Sequence, residues 1–332
     1  MQKVELLYLS QEDVIDVGLT LADAVGIVEG ALREHGAGQV ENPPKPGIHP
    51  LPDAFIHAMP GYLRRKQAAG MKWVSGFPAN PTRGLPTIMG IIVLNDPATG
   101  QPIAVMDCAY ITALRTASAS GVSAKHLARR DAEEIGLVGA GLQGRYNLLA
   151  LESVLQQIKS ARVFDVDGPT LERFVAEMRG RVPFAIEPVG SAREAIECAD
   201  VAVTATGHLD ERIFEAAWIK EGALVLPVHT RGWQQAVFER VDKFVVDDWG
   251  QFRHVFGRQG GYYWPLPEAY AELGQIVVGS KPGRQNDSER IVNFNYGMGI
   301  HDVAMACEVL ARAKRKGIGT PLTLMDGALP DG

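Results

Sequence analysis

The sequence predicts an α/β chain organised around a doubly wound parallel sheet, and three observations carry that prediction. Short apolar strands alternate with helical stretches after residue 130. A glycine-spaced turn, Gly139-x-Gly141-x-x-Gly144, joins one of those strands to one of those helices. Ahead of them, residues 40–110 hold strand-like segments with hardly any helical pattern. Alternation with helices implies a parallel sheet covered on both faces, whereas consecutive strands imply antiparallel pairs.

The elements follow in order. "VELLYLS" reads as a strand. "LTLADAVGIVEGALREHGAG" spaces apolar residues as a helix does and ends near Gly36 and Gly38. The prolines of "ENPPKPGIHPLPD" favour extended or loop backbone. "AFIHAMPGYL", "AAGMKWVSGF", "TIMGIIVLND" and "PIAVMDCAY" follow as strands, with "NDPATGQP" as a hairpin turn between the last two. "ITALRTASASGVSAKHLAR" is a helix rich in small residues. Then come the strands "EIGLVGAG", "SARVFDVD", "FAIEPVG", "VAVTAT", "ALVLPV" and "KFVVDD". Helices "YNLLALESVLQQIK", "PTLERFVAEMRG" and "SAREAIECA" separate several of them. "GMGIHDVAMACEVLARAKRKGIG" is a long amphipathic helix ending at glycine, and the final "LPDG" is expected to fray.

Composition narrows the function classes. A length of 332 residues favours two domains, and a formal charge of −6 argues against a nucleic-acid surface. That charge still permits a local positive pocket for an acidic substrate. Cys108, Cys198 and Cys307 are odd in number and widely spaced, so no disulfide framework or metal site is expected, and all three read as small core residues. The start, "MQKVELLYLSQEDV", has no signal-peptide pattern, and no apolar run is long enough to span a membrane. The expected compartment is the cytoplasm.

The glycines point to a dinucleotide. Gly139 allows the tight turn, Gly141 lets the backbone approach a pyrophosphate, and Gly144 lets helix and strand pack closely. Ala140, Leu142 and Gln143 complete the turn, and the helix start offers unpaired N–H groups to phosphates. Asp165 ends the next strand, 26 residues beyond Gly139. A carboxylate there binds a ribose diol and repels a 2′-phosphate, so NAD(H) is expected rather than NADP(H). Asp167 shares that role or caps the next helix. Thr204, Ala205 and Thr206 end a further strand, where ligands of open α/β sheets bind.

Several segments together resemble the ornithine cyclodeaminase/μ-crystallin family over residues 5 to 320. They are "MKWVSGFPANP", "GIIVLNDPATGQPIAVMDCAYITALRTASASGVSAKHLAR", "IGLVGAGLQGR", "ADVAVTATG", "ELGQIVVGSKPGR" and "GMGIHDVAMACEVLARA". The resemblance implies a homodimer and a discontinuous α+β substrate and dimerisation domain, residues 1–118 plus 305–332. A Rossmann NAD-binding domain, residues 119–304, is inserted in it. It also implies hydride transfer between nicotinamide and the α-carbon of an amino or imino acid. By the same resemblance Lys72 and Arg115 hold the substrate carboxylate, and Thr116 reaches a cofactor phosphate; burial next to other cations lowers a lysine pKa, so Lys72 is also a candidate proton donor. Lys45 stands where the family usually has arginine, giving a point charge without the fork. Asn295 stands where the family often has serine, and Asp302 matches an aspartate near the nicotinamide end. His57 and Met59 share one face of a strand and are expected in the substrate pocket.

One stretch departs from the family. Where cyclodeaminases and alanine dehydrogenases carry a segment like "INAVGAD", this chain has "LVLPVHTRGWQQ", which puts Arg231 at the aspartate and His229 two residues before it. An arginine repels a side-chain ammonium and welcomes a second carboxylate. With Lys45, His57, Lys72, Arg115, His229 and Arg231 as candidate cations, the expected substrate is an imino acid with an extra anionic group, and His229 is a candidate acid. Tyr262, Tyr263 and Trp264, in the insertion 256–271, wall the pocket or form a dimer contact. The leading expectation is an NAD(H)-dependent imine reductase or amino-acid dehydrogenase. The alternatives are an ammonia-releasing cyclodeaminase using NAD catalytically, and a μ-crystallin-like binding protein.

Overall fold

Alternating burial in the first third of the chain and uniform burial in the middle sort the strands into two sheets, one mostly antiparallel and one parallel. A computed structural model describes residues 3–207, 209–229 and 231–327, so the terminal "LPDG" lies outside the described residues. The chain falls into two units: Met1–Glu34, Gly38–Arg115 and Met298–Gly332 form the first, and His35–Ala37 and Thr116–Gly297 the second.

In chain order the first elements are β1 (Val4–Leu9), α1 (Gln11–Asp16), α2 (Leu21–Gly36), β2 (Val40–Glu41), β3 (Gly47–Ile48), β4 (Phe55–Leu63), β5 (Ala68–Gly76), β6 (Ile88–Asn95), β7 (Pro102–Asp107) and α3 (Ala109–Leu127). The second unit adds β8 (Glu134–Val138), α4 (Leu142–Glu152), β9 (Ser160–Phe164), α5 (Gly168–Met178), β10 (Ala185–Pro188), α6 (Ala192–Ile196), β11 (Val201–Thr204) and β12 (Leu224–Pro227). It continues with α7 (Val237–Arg240), β13 (Lys243–Val246), α8 (Trp249–Phe256), β14 (Ala271–Glu272), α9 (Leu273–Val277) and β15 (Ile291–Phe294). The chain closes with α10 (Gly299–Lys316) and β16 (Thr320–Met325).

In the first unit the sheet order is β16-β1-β7-β6-β5-β4-β2, with β3 also paired to β4. Only β1 and β7 run parallel; the other pairs are antiparallel. Register sets Met59 opposite Lys72, Lys72 opposite Ile92 and Ile92 opposite Met106, so one lysine joins a buried apolar row. Helix α10 packs on β4, β5 and β6. Its start seats on bare backbone: a Cβ on Gly299 would meet the Pro60 carbonyl oxygen at 2.5 Å, and one on Gly61 would meet the Ile300 nitrogen at 2.8 Å.

In the second unit the order is β10-β9-β8-β11-β12-β15-β13-β14, parallel throughout. The strand order turns back between β8 and β11, the place where open α/β sheets take ligands. Strands β11, β12, β13 and β15 are fully buried along their length, as central parallel strands require.

Several expectations need correction. The helix expected to run to Lys159 ends at Glu152, because the chain must return for Ser160, whose N–H donates to the Glu133 carbonyl. Helix α1 forms on a local capping box: Ser10 accepts from the Asp13 N–H, and Asp13 accepts from the Ser10 N–H. The strands "AE", "IVNF" and "TPLTLM" were not foreseen. Cys108 is buried but Cys198 is exposed and Cys307 half-buried, so the core reading holds only for the first. Ala195 and Ile196 take the inward face of α6, which turns Cys198 to solvent.

Candidate active site

The second unit presents a cradle of backbone. Gly139 follows β8 with φ of 102°, a conformation costly for any residue with a Cβ. A Cβ on Gly139 would meet the Ala205 carbonyl oxygen at 2.4 Å, so the turn after β8 and the turn after β11 touch through bare backbone. A Cβ on Gly144 would meet the Gly139 carbonyl oxygen at 2.1 Å, while Gly141 faces open space. Gly141 caps α4 without a side-chain hydrogen bond, and the first turn of α4 carries no acid. The N–H groups of Leu142, Gln143 and Gly144 therefore face outward as an anion site.

Asp165 stands at the end of β9. Its two oxygens accept from the Ala140 N–H at 2.7 Å and the Asp167 N–H at 2.9 Å, and this fixes the carboxylate beside the turn. Val166 next to it is 92% exposed, an apolar surface open for a base. The Thr206 hydroxyl is buried without a hydrogen-bond partner. Open space at Gly141, a fixed carboxylate and an orphaned hydroxyl fit a dinucleotide with a free ribose diol, which is NAD(H).

The other candidate cofactor residues lie in varied surroundings. Asp167 caps α5, accepting from the Thr170 N–H at 2.9 Å. Thr204 is fully buried, and its hydroxyl accepts from Trp233 Nε1 at 3.3 Å, because β11 lies between two parallel neighbours. Ala205 extends the β8–β11 pairing, its N–H donating to the Val138 carbonyl at 2.7 Å. Asn295 donates to Ser123 Oγ at 3.1 Å and leaves its carbonyl oxygen unpaired. Thr116 is half-buried in α3.

The first unit holds a cluster of side chains. Lys72 Nζ donates to Asp302 Oδ1 at 2.8 Å, and Arg115 Nε donates to the same oxygen at 3.1 Å. Lys72 Nζ also lies 3.4 Å from Thr112 Oγ1. Asp302 Oδ2 is buried without a hydrogen bond. Lys72 and Asp302 are wholly buried, and the Arg115 side chain keeps 11% of its exposure. Burial and Arg115 push the Lys72 ammonium down to about 8, partly offset by Asp302. Burial raises the Asp302 carboxyl, but Lys72 and Arg115 outweigh it and hold it below the usual range. Asp302 is thus a counter-ion to the two cations. The trio carries a net charge of one positive, which one carboxylate neutralises.

His57 faces the same side of the sheet as Met59 and Lys72, two residues along β4. It was counted among the cations. Burial and neighbouring Lys45, His49 and Lys72 push it down to about 4, so it is neutral at pH 7, and its ring stacks on Phe55. Lys45 is half-buried in the β2–β3 connection, its charge felt by His57.

Arg231 and His229 lie in the second unit, past the end of β12. Arg231 Nη1 sits 3.3 Å from Asp210 Oδ1, and its guanidinium lies 5.1 Å from the centre of the Tyr262 ring. Tyr262 OH accepts from the Gly232 N–H at 3.0 Å and donates to the Glu211 carbonyl at 3.1 Å. The insertion thus buttresses Arg231 through Tyr262. Tyr263 is fully buried in the aromatic core, whereas Trp264 is 47% exposed. His229 is half-buried, its N–H donating to the Thr204 carbonyl at 3.2 Å. No cluster of potential metal ligands occurs among the described residues.

The chain is similar to several known proteins. Nodulation efficiency protein NfeD of Rhizobium meliloti is 42% identical over 313 residues, 94% of this chain and 97% of that protein. N-((2S)-2-amino-2-carboxyethyl)-L-glutamate dehydrogenase of Staphylococcus aureus is 31% identical over 335 residues, 96% of this chain and 99% of that protein. The solved structure of an archaeal alanine dehydrogenase dimer with bound NAD superposes with a TM-score of 0.88 at 32% identity, over 97% of this chain and 100% of that one. The sequence profile of the ornithine cyclodeaminase/mu-crystallin family matches residues 5–317, and the chain belongs to that family.

Proposed function

We propose that this chain is an NAD(H)-dependent imine reductase or amino-acid dehydrogenase acting at the α-carbon of an α-imino or amino acid. The observation that carries the reading is the buried trio Lys72–Asp302–Arg115, one positive charge in excess beside the buried apolar row of Met59, Ile92 and Met106. An uncompensated buried charge is costly and is retained where a ligand completes it. Gly139, Gly141, Gly144, Asp165 and Thr206 hold the cofactor, which supplies or receives the hydride. Arg115 offers its planar fork to the substrate carboxylate. Lys72, near neutrality at about 8, carries a proton for the substrate nitrogen.

We further propose a substrate with a second anionic group, a preference to be tested at Arg231. Stacking on Tyr262 holds that guanidinium, and Asp210 pairs with it through a contact that is 81% exposed on the acid's side. A solvent-exposed ion pair yields easily to a better anion. The Staphylococcus aureus relative, whose name describes an amino-carboxyethyl glutamate, fits the same preference. We place the residues around Lys72 in the substrate unit. We further propose a homodimer formed through the sheet face opposite Lys72, where Tyr8, Trp73 and Ile91 are each 41% exposed. The archaeal alanine dehydrogenase neighbour is a dimer, which supports a dimeric state, and Ile91→Lys is expected to yield monomers in light scattering. Free cysteines fit the cytoplasm.

An NADH-oxidation screen tests the reading, using 2-oxo acids with ammonia or methylamine and preformed cyclic imines. Steady NADH consumption, strongest for a diacid, is expected. Ammonia release without net NADH change indicates a cyclodeaminase, and NADH binding without turnover indicates a carrier protein.

A further inference from the structure

We propose that Asp302 is the positioning residue of the acid-holding site: one of its oxygens fixes Lys72 and Arg115 at a common point and sets the cluster one charge short of neutral, so that a single substrate carboxylate completes it. The inference rests on the reading of Lys72 and Arg115 as the carboxylate anchor.

The geometry is specific. Asp302 Oδ1 alone accepts from Lys72, 230 residues away, and from Arg115, 187 residues away. The second oxygen is buried and makes no hydrogen bond, so the carboxylate is aimed by the two cations and by its helix. Its reach depends on the tight seat of α10, where Gly61 and Gly299 leave no room for a Cβ. Asp302 sits three residues after Gly299, and a short side chain suffices from there. Met59, Ile92, Met106 and Val303 nearby are apolar and buried, so the fold had an apolar solution available at this face. Breaking a buried pair strands its partner, whereas an apolar replacement of the whole set is often neutral, so stability alone does not explain the trio.

The groups facing Lys72 set its protonation. Arg115 and Cys108 approach from the α3 side, Asp302 from α10 with His301 beside it, and His57 from β4. Burial and Arg115 favour the neutral amine, and Asp302 opposes them. Without the aspartate's charge, the ammonium is lost at lower pH. Arg115 then remains the sole fixed cation.

The test compares Asp302→Asn and Asp302→Glu in the full-length enzyme, with kcat and KM for the best imino or oxo acid followed across roughly pH 6 to 10. NADH affinity, measured by fluorescence titration, monitors the fold. For Asp302→Asn a KM rise of about tenfold or more is expected, with the basic limb of the profile moved at least about one unit toward acid and NADH affinity kept. For Asp302→Glu, which keeps the charge and displaces it by a methylene, KM rises while the limb stays. Wild-type KM and profile in Asp302→Asn would overturn the proposal. If that variant does not fold, Asp302→Glu decides alone: wild-type KM removes the positioning role, and a shifted limb removes the charge argument. Lys72→Met separates the two levels. Wild-type KM in Lys72→Met sinks the anchor reading, whereas a raised KM there with unaffected Asp302 variants sinks only the role of Asp302.

Discussion

The two regions proposed to carry the chemistry are built from different materials. The nucleotide cradle of the second unit is mostly backbone: three glycines, a helix start without a side-chain cap, and one carboxylate tied to two N–H groups. The acid-holding cluster of the first unit is mostly side chains, converging on a single carboxylate oxygen from β5, α3 and α10. A backbone site tolerates changes of side chain but no added bulk at its glycines. A side-chain site tolerates bulk nearby but no change of charge. Substitutions in the two regions should therefore fail in different ways.

The largest effect is expected at the cradle. Gly139→Val adds a Cβ within 2.4 Å of the Ala205 carbonyl oxygen at a φ of 102°. It should weaken NADH binding by two orders of magnitude or roughly so, with acid recognition untouched, as a fluorescence titration will show. Near-normal affinity would dissolve the contrast at its first step.

Next comes the anchor. Arg115→Ala leaves Lys72 and Asp302 as a neutral pair, so about 2 kcal/mol of transition-state stabilisation, roughly 30-fold in kcat/KM, should be lost with NADH affinity unchanged. Steady-state kinetics with saturating cofactor measures it. Activity close to wild type would remove Arg115 from the site.

A smaller, selective effect is expected from Arg231→Asp. The ratio of kcat/KM for diacids over monoacids should fall by roughly tenfold, about 1.4 kcal/mol, while monoacids change little. An unaltered ratio would leave Tyr262 and Arg231 as structure only.

The smallest effect is in stability. His57 is pushed from 6.5 to about 4 by burial and by Lys45, His49 and Lys72. Between those values the unfolded chain binds a proton that the folded chain does not. Stability should thus rise with pH through that window and level off above it. His57→Gln should flatten the rise, as thermal melts at a series of pH values will show. An equally steep rise in the variant would assign the dependence to other groups.

The two regions also differed in how far the sequence exposed them. The turn at 139–144 and Asp165 were legible because a local spacing encodes a local shape. The parallel sheet was legible from apolar strands separated by helices. The meeting of Asp302 with Lys72 was not, since nothing local at residue 302 signals a lysine on a strand 230 residues earlier. Only the seating of Gly299 against Met59 and Pro60 creates that meeting. The partner of Thr204 was hidden for a similar reason: nothing local at a strand end signals Trp233, 29 residues later, which donates to its hydroxyl. His57 carried no mark of its neutral state, which depends on burial and on neighbouring Lys45, His49 and Lys72. Short strands such as Ile291–Phe294 escaped because four residues give no period to read.

Deuterium transfer tests the central claim most directly. NADH deuterated at C4 is supplied with the best 2-oxo acid and amine, or imine, and the product is analysed by mass spectrometry and NMR. The account predicts one deuterium at the α-carbon of the amino acid formed for each NADH oxidised. A product carrying no deuterium there, or formed while NADH is not consumed, would contradict it.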